Sequence, residues 1–137
     1  MRVLSALTDF QDARLLTKTL NLLISGEVRS QDVYIVLGGI AANPVGRDLT
    51  WQFMKENWDA FRKMYEKGKL MARMISPVCG PLASFADEED VRSFFEAHPV
   101  ADAKRTIEQV LESIRINARW FERDRHAFAG WLKRYIR

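Results

Sequence analysis

The stretch WQFMKENWDAFRKMY, which runs from Trp51 to Tyr65, decides the fold class. Its large apolar side chains recur every three or four residues, at Trp51, Met54, Trp58, Phe61 and Tyr65. Because an α-helix has 3.6 residues per turn, these positions share one side of a helix. Each aromatic side chain among them buries about 150–250 Å² when it enters a core. The pattern therefore predicts one long helix that anchors a helical core.

Helical spacing extends to the N-terminal side of this stretch. Thr8 and Gln11 are spaced as in a capping box, which predicts a helix start at that point. Ser30 is expected to cap the following helix. That second helix contains the pair Gly38-Gly39. Because glycine weakens a helix interior, the pair is expected where another backbone packs close.

Helical spacing also continues on the C-terminal side, after a stop expected at Gly68. Asp87 is expected to cap the next long helix, with the carboxylates of residues 88–90 solvated in its first turn. An apolar face then runs from Ile107 to Phe121, and a separate short helix is predicted to begin near Phe128. Asn117 lies on or beside the apolar face, so its amide is expected to be a buried hydrogen-bonding group.

These elements predict an all-α fold that forms a single domain over residues 1–137. The short connections favour antiparallel helix pairs stacked as a short HEAT/armadillo-like superhelix. They also suit a compact bundle. No stretch alternates apolar and polar residues for long enough to indicate a strand.

Composition excludes several classes of protein. Apolar residues make up 47% of the 137 residues and charged residues 28%, which is typical of a soluble globular protein. The net charge of +3 is too small to indicate a dedicated nucleic-acid binder. No apolar run reaches the length of a membrane span. The only cysteine, Cys79, fits a reducing compartment, and a cytoplasmic location is expected.

Residues suited to catalysis are sparse. The sequence contains no HExxH, GxSxG, P-loop or CxxC motif. Its two histidines, His98 and His126, stand far apart, and with Cys79 they match no known zinc-ligand spacing. We therefore expect no catalytic residue and no metal ligand in this chain. His98 is expected to lie at a helix end, where a partial positive charge is favourable.

The arginines are the remaining candidates for binding. Arg73, Arg115 and Arg119 are predicted peptide-cavity contacts, because a guanidinium can hold a carboxylate through two hydrogen bonds. Arg123 and Arg125 are further candidates of the same kind. The alternative is that these arginines are exposed and paired with the acidic residues Glu112, Glu122 and Asp124. The acidic patch at residues 87–96 and the basic end of the chain are expected either to pair with each other or to face partners.

Two stretches resemble a known family. They are GRDLTWQFMKENWDAF, residues 46–61, and FFEAHPVADAKRTIEQVLESIRINARWFERDR, residues 94–125. Within them, the patterns G-R-x-x-x-W-x-F-x-K-x-N-W and H-P-x-x-x-A-x-R-T-I-x-Q occur in order. They are similar to the C-terminal helical domain of the puromycin-sensitive type of zinc aminopeptidases, of which the endoplasmic-reticulum aminopeptidases are more distant members.

The resemblance implies a function for the chain. In that family the zinc and its HExxH motif belong to preceding domains, so no catalytic residue carries over to this sequence. The C-terminal domain is a curved array of helix pairs that covers the catalytic domain and shapes the peptide-binding cavity. The implied partners are the preceding catalytic domain of the same polypeptide and peptide substrates.

Three further expectations follow from the sequence. If the chain is part of a larger aminopeptidase, its first helices lack a neighbour, and the face carrying Val3, Leu4 and Leu7 is expected to self-associate. An independent helical-repeat module for protein interaction is the alternative function. A nucleic-acid binder that uses the basic last helix is the weakest hypothesis, because the overall charge is nearly balanced.

Overall fold

The computed structural model describes residues 2–65 and 70–136, and Gly68 lies outside them. Within this part the chain is all-α, without a strand, which confirms the predicted class. The helices are α1 (Arg2–Leu7), α2 (Ala13–Ile24), α3 (Ser30–Ala42), α4 (Arg47–Glu56), α5 (Trp58–Tyr65), α6 (Leu70–Cys79), α7 (Phe85–Ala97) and α8 (Lys104–Tyr135). A single 3₁₀ turn, Ala101–Ala103, leads into α8.

Helix α6 lies at the centre of the domain. It packs most extensively against α3, and it also contacts α4, α5, α8 and the 3₁₀ turn. Its side chains Met74, Ile75 and Val78 are fully buried. Helix α8 packs on α6, and α7 packs against α8. The helix contacts are compatible with the stacked superhelix, which remains a prediction.

Close packing between α3 and α6 depends on a glycine. A Cβ atom added at Gly38 would lie 2.9 Å from Cβ of Pro77. Pro77 lies inside α6, where its ring cannot donate a backbone hydrogen bond. A close approach was expected at the Gly38-Gly39 pair, but the neighbour at Gly38 is the side-chain ring of Pro77 and not another backbone. Gly39 likewise makes room for the side chain of Thr8.

The aromatic stretch is confirmed as a core face but not as one helix. All five of its apolar side chains are buried. The helix, however, is interrupted at Asn57, which separates α4 from α5. The side-chain amide of Asn57 donates to the carbonyl of Phe53 at 2.9 Å and so ends α4 locally. Because α5 resumes at the next residue, Trp58, the apolar side stays continuous.

Two predicted helix starts are wrong. The hydroxyl of Thr8 donates to the carbonyl of Ser5 at 2.7 Å, so it serves the end of α1. The N-cap of α2 is Asp12, whose carboxylate accepts the backbone N–H of Arg14 at 2.7 Å. Ser30 is the first residue of α3 and makes no capping hydrogen bond, because Arg29 occupies the N-cap position.

The predicted cap of α7 is also wrong. Ser84 is the N-cap, and Asp87 is the third residue of the helix. The hydroxyl of Ser84 accepts the N–H of Asp87 at 3.0 Å, and the carboxylate of Asp87 accepts the N–H of Ser84 at 3.1 Å. This reciprocal pair is a capping box, in which Asp87 supplies the second half.

Helix α8 is longer than the sequence predicted. It continues without interruption through the region where a separate short helix was expected. Its buried side ends at Ala118, since Phe121 is 55% exposed. Asn117 is confirmed as a hydrogen-bonding group, because its amide donates to the carbonyls of Gly80 and Leu82 at 3.1 Å each. These bonds fix α8 to the end of α6.

At the N-terminal end, α1 packs on α3. Leu4 and Leu7 are half-buried, and Val3 is 75% exposed. The face expected to self-associate is therefore partly covered within the domain. Self-association through it stays a prediction.

The contact at Gly38 predicts the effect of a single methyl group. We expect Gly38→Ala to lower the free energy of unfolding by about 1–3 kcal/mol, because the new Cβ overlaps the rigid Pro77 ring. Urea unfolding followed by circular dichroism measures this. The matched control is Gly130→Ala in α8, where nothing lies within 4 Å of the added Cβ and helix propensity improves. Equal stability of the two variants would contradict the assignment.

Candidate peptide-contacting surface on the last two helices

The three predicted contact arginines lie in different surroundings. Arg73 is exposed on α6 and Arg119 is exposed on α8. Arg115, one turn before Arg119 on α8, is partly buried. Because residues four apart on a helix are neighbours, Arg115 and Arg119 lie side by side on its surface. Arg73 lines neither the recess nor the groove that are described below.

Arg115 belongs to an ion-pair cluster that joins α7 to α8. Its Nε donates to Oε1 of Glu88 at 3.1 Å, and its Nη2 donates to the same oxygen. Arg92 donates to that oxygen from Nη2 at 2.9 Å. The hydrogen bond from Arg115 holds the pKa of Glu88 below its usual value. The same contact raises the pKa of Arg115, so both charges persist at neutral pH.

The cluster corrects the prediction of a solvated acidic turn. Glu88 is only 8% exposed, although it lies in the first turn of α7. Asp90 lies in the next turn and accepts hydrogen bonds from the indole N–H of Trp51 and from Lys55, each at 2.7 Å. Burial raises the pKa of Asp90, but these two hydrogen bonds lower it overall. The acidic patch therefore pairs in part with basic residues of the same fold. This is the first of the two expectations stated for it.

A recess opens beside the cluster. It has a volume of about 280 Å³ and is lined by Arg92, Glu108, Leu111, Glu112 and Arg115. Two guanidinium and two carboxylate groups thus line the recess together with one apolar side chain, that of Leu111. Such groups can hydrogen-bond the charged ends or the backbone of an extended peptide.

A larger groove continues from the recess along α7 and α8. Its volume is about 590 Å³, and it shares Arg92, Glu108 and Leu111 with the recess. Its other lining residues are mainly apolar, among them Phe95, Val100 and Ile107. The groove and recess together form a surface with apolar and charged parts, of a size suited to a few peptide side chains.

The two family-like sequence patterns have structural roles. A Cβ atom at Gly46 would lie 2.4 Å from the carbonyl oxygen of Ile40, so only glycine fits there. Trp51 and Lys55 bind Asp90 of α7, and Asn57 ends α4. In the second pattern, His98 is the C-cap of α7 and its Nδ1–H donates to the carbonyl of Phe94 at 2.9 Å.

The candidate zinc ligands are not assembled into a site. In residues 2–65 and 70–136, no three His, Cys, Asp or Glu side chains form a group that could hold a metal ion. Cys79 is fully buried, and burial raises the pKa of its thiol. His98 is engaged at the end of α7, and His126 is exposed on the distal part of α8. Across the described residues, no helix has the length and apolar character to cross a membrane.

The cluster predicts a pH-dependent effect at Glu88. Because its folded-state pKa is lowered, the charged carboxylate stabilises the fold above the ordinary glutamate pKa of 4.5. This stabilisation is lost as the pH falls through the folded-state pKa. We expect Glu88→Gln to lower the free energy of unfolding at pH 7 by about 1–3 kcal/mol. The difference from wild type should shrink as the pH is lowered below 4.5.

Urea unfolding at a series of pH values checks this prediction, with Glu89→Gln as the control. Glu89 is exposed and adjacent, so its substitution should change stability little. A Glu88→Gln defect that is independent of pH would show that the carboxylate charge is not what stabilises the α7–α8 contact.

Comparison with known proteins agrees with the resemblance seen in the sequence. Residues 1–116 match the model of the ERAP1-like C-terminal domain. Aminopeptidase M1-C of Oryza sativa subsp. japonica is 35% identical over 122 residues, which are 89% of this chain and 14% of the relative. The alanine/arginine aminopeptidase of Saccharomyces cerevisiae is 33% identical over 133 residues, which are 96% of this chain and 16% of the relative.

Endoplasmic reticulum aminopeptidase 2 of Bos taurus is 32% identical over 136 residues, which are 96% of this chain and 14% of the relative. The chain thus spans about one seventh of the length of these curated relatives. The helical fold and the match over most of the chain point to the same assignment. The chain belongs to the ERAP1-like C-terminal domain family.

Proposed function

We propose that the chain acts as the non-catalytic C-terminal domain of a zinc aminopeptidase. In this role it covers the catalytic domain of the same polypeptide and shapes the cavity in which peptides lose their N-terminal residues. The observation that carries the proposal is the match of residues 1–116 to a C-terminal domain. The relatives that align with 89% and 96% of this chain have names that identify them as aminopeptidases.

The zinc of such an enzyme does not fit this chain. A catalytic zinc needs three protein ligands and an open position for water. The described residues provide no group of three candidate ligands. We therefore place the zinc in the preceding domain, and no step of peptide hydrolysis is assigned to residues of this chain.

The groove and recess on α7 and α8 support a peptide-contacting role. Arg115 lines the recess, and its guanidinium is held in place by the hydrogen bond to Glu88. Arg119 lies one turn further along the helix. We place a peptide carboxylate against this pair, because two adjacent guanidinium groups offer several charge-assisted donors. Arg73 belongs to the proposed set as a contact from α6. The apolar groove then accommodates neighbouring peptide side chains.

The proposed location is the cytoplasm, since the fully buried Cys79 fits a reducing compartment. The bovine relative has a name that assigns it to the endoplasmic reticulum, so location varies among similar proteins. Fractionation of cells that express the natural gene would test this part of the proposal.

Binding of a labelled peptide tests the arginine contacts. We expect Arg119→Gln to weaken binding of a peptide with a free C-terminal carboxylate by roughly tenfold, the value of one charge-assisted contact. Arg134→Gln, an exposed arginine near the end of α8, is the control. Arg73→Gln in the same titration tests the third contact. An unchanged affinity for Arg119→Gln, or equal binding of the C-terminally amidated peptide, would contradict the carboxylate assignment.

An activity assay tests the non-catalytic assignment separately. The chain alone, supplied with Zn²⁺ and an aminoacyl fluorogenic substrate, should give no turnover above buffer, because the residues that the structure describes hold no ligand set for the metal. Turnover that disappears on addition of a chelator would overturn the proposal.

A further inference from the structure

The recess on α7 and α8 contains two guanidinium groups that one buried carboxylate holds close together. Arg92 donates to Oε1 of Glu88 from Nη2 at 2.9 Å, and Arg115 donates to the same oxygen from Nε at 3.1 Å. These two donor nitrogens are therefore no more than about 6 Å apart. Glu88 is only 8% exposed and carries one negative charge, so the pair of arginines keeps one positive charge in excess.

Both guanidinium groups keep hydrogen-bond donors for a ligand. Within the described residues, Nη1 of Arg115 and both Nε and Nη1 of Arg92 have no hydrogen-bond partner. The two side chains line the recess and are 43% and 38% exposed. Guanidinium groups with unused donors suit a carboxylate. Because Glu88 orders them in advance, a ligand loses less binding free energy to fixing them.

Two carboxylates line the same recess. Glu108 and Glu112 are four residues apart on α8, so they are neighbours on its surface. In the part of the chain that the structure describes, neither makes an ion pair. After the hydrogen bond to Glu88, the charge of Glu112 is a further cause that raises the pKa of Arg115. The acidic and the basic side of the recess therefore lie close together.

A ligand with a single charge does not complement this lining. An anion at the two arginines would be repelled by Glu108 and Glu112, and a cation at these carboxylates would leave the guanidinium donors unused. A ligand with a carboxylate and an ammonium group close together fits both sides. The volume of about 280 Å³ is just below the range of about 300–1,000 Å³ for sites of drug-sized ligands, so this ligand is small.

We propose that the recess binds a free α-amino acid in its zwitterionic form. The carboxylate of the ligand accepts hydrogen bonds from the two guanidinium groups that Glu88 holds, and its ammonium group donates to Glu108 and Glu112. The apolar groove shares Leu111 with the recess. An apolar side chain of the ligand therefore extends over Leu111 into the groove.

This site differs from the peptide contact proposed above. It uses Arg92, whereas the peptide carboxylate is placed on Arg115 and Arg119, and Arg119 does not line the recess. A free amino acid is also what an aminopeptidase releases from a peptide, so in such an enzyme the recess would respond to the concentration of product. This consequence rests on the proposed function, but binding of the amino acid does not.

Nuclear magnetic resonance titration of the ¹⁵N-labelled chain with L-leucine tests the site. We expect amide shifts that saturate at millimolar concentrations and that cluster at residues 92 and 108–115. N-acetyl-L-leucine lacks the ammonium charge, and L-leucinamide lacks the carboxylate. Each derivative should bind roughly tenfold more weakly than L-leucine or worse, which is the value of one charge-assisted contact.

Substitutions test the two charged sides of the recess separately. Arg92→Gln and Glu112→Gln each remove one charge, and each should raise the dissociation constant for L-leucine roughly tenfold. The fold should persist, because Arg115 still holds Glu88 and Glu112 is exposed. Glu122→Gln, at an exposed position of α8 outside the recess, is the matched control and should leave the dissociation constant unchanged.

Three results would overturn the proposal. They are the absence of saturable shifts at the recess, binding of either blocked derivative as tight as that of L-leucine, or an unchanged dissociation constant in Arg92→Gln or Glu112→Gln. Tighter binding of L-leucinamide would identify a cation site instead. Arg119→Gln separates this proposal from the peptide contact, since it should weaken the peptide and leave L-leucine binding unchanged. Intact L-leucine binding with no effect of Arg119→Gln on the peptide would contradict only the peptide contact.

Discussion

The close contact between α3 and α6 is the constraint on which the rest of the structure depends. Gly38 lets the ring of Pro77 approach the backbone of α3, and this approach places α6 at the centre of the domain. The aromatic side chains of α4 and α5 and the apolar side of α8 pack around α6 in turn. Because protein interiors are close-packed, a shift of α6 would displace each of these helices.

The position of the last two helices follows from that centre through polar contacts. Asn117 binds two carbonyls just beyond the end of α6, and Glu88 joins α7 to α8 through Arg115. Asp90 joins α7 to α4 through Trp51 and Lys55. These contacts hold α7 and α8, which line the groove and the recess, in one relative position. A preorganised surface binds a ligand at a lower entropic cost.

Much of the fold was predictable from the sequence, because apolar spacing reports which side of a helix is buried. The aromatic stretch from Trp51 to Tyr65 is buried as predicted. The break at Asn57 was missed because a helix that is interrupted at a single residue keeps the same apolar spacing. The helix starts at Asp12 and Ser84 were missed because several nearby residues offer similar capping patterns. At the end of α8, the apolar spacing continues beyond Ala118 although the core does not.

The candidate site was less predictable, because its charges pair over long sequence distances. The spacing of Glu88 and Arg92, four residues apart, was a local signal for an ion pair. The contact between Glu88 and Arg115 joins residues 27 positions apart and depends on how α7 packs on α8. Arg73 and Arg119 are exposed, so the sequence and the fold constrain their roles less than that of Arg115.

Native-state hydrogen exchange tests the central claim, that the α3–α6 contact holds the domain together as one unit. Amides of α3 and α6 should exchange only through global unfolding, with free energies equal to that from urea unfolding of the same sample. Amides of α8 from Lys104 to Ala118 should belong to the same unit. Exchange of α3 or α6 at a free energy well below the global value, while α7 and α8 stay protected, would contradict the claim.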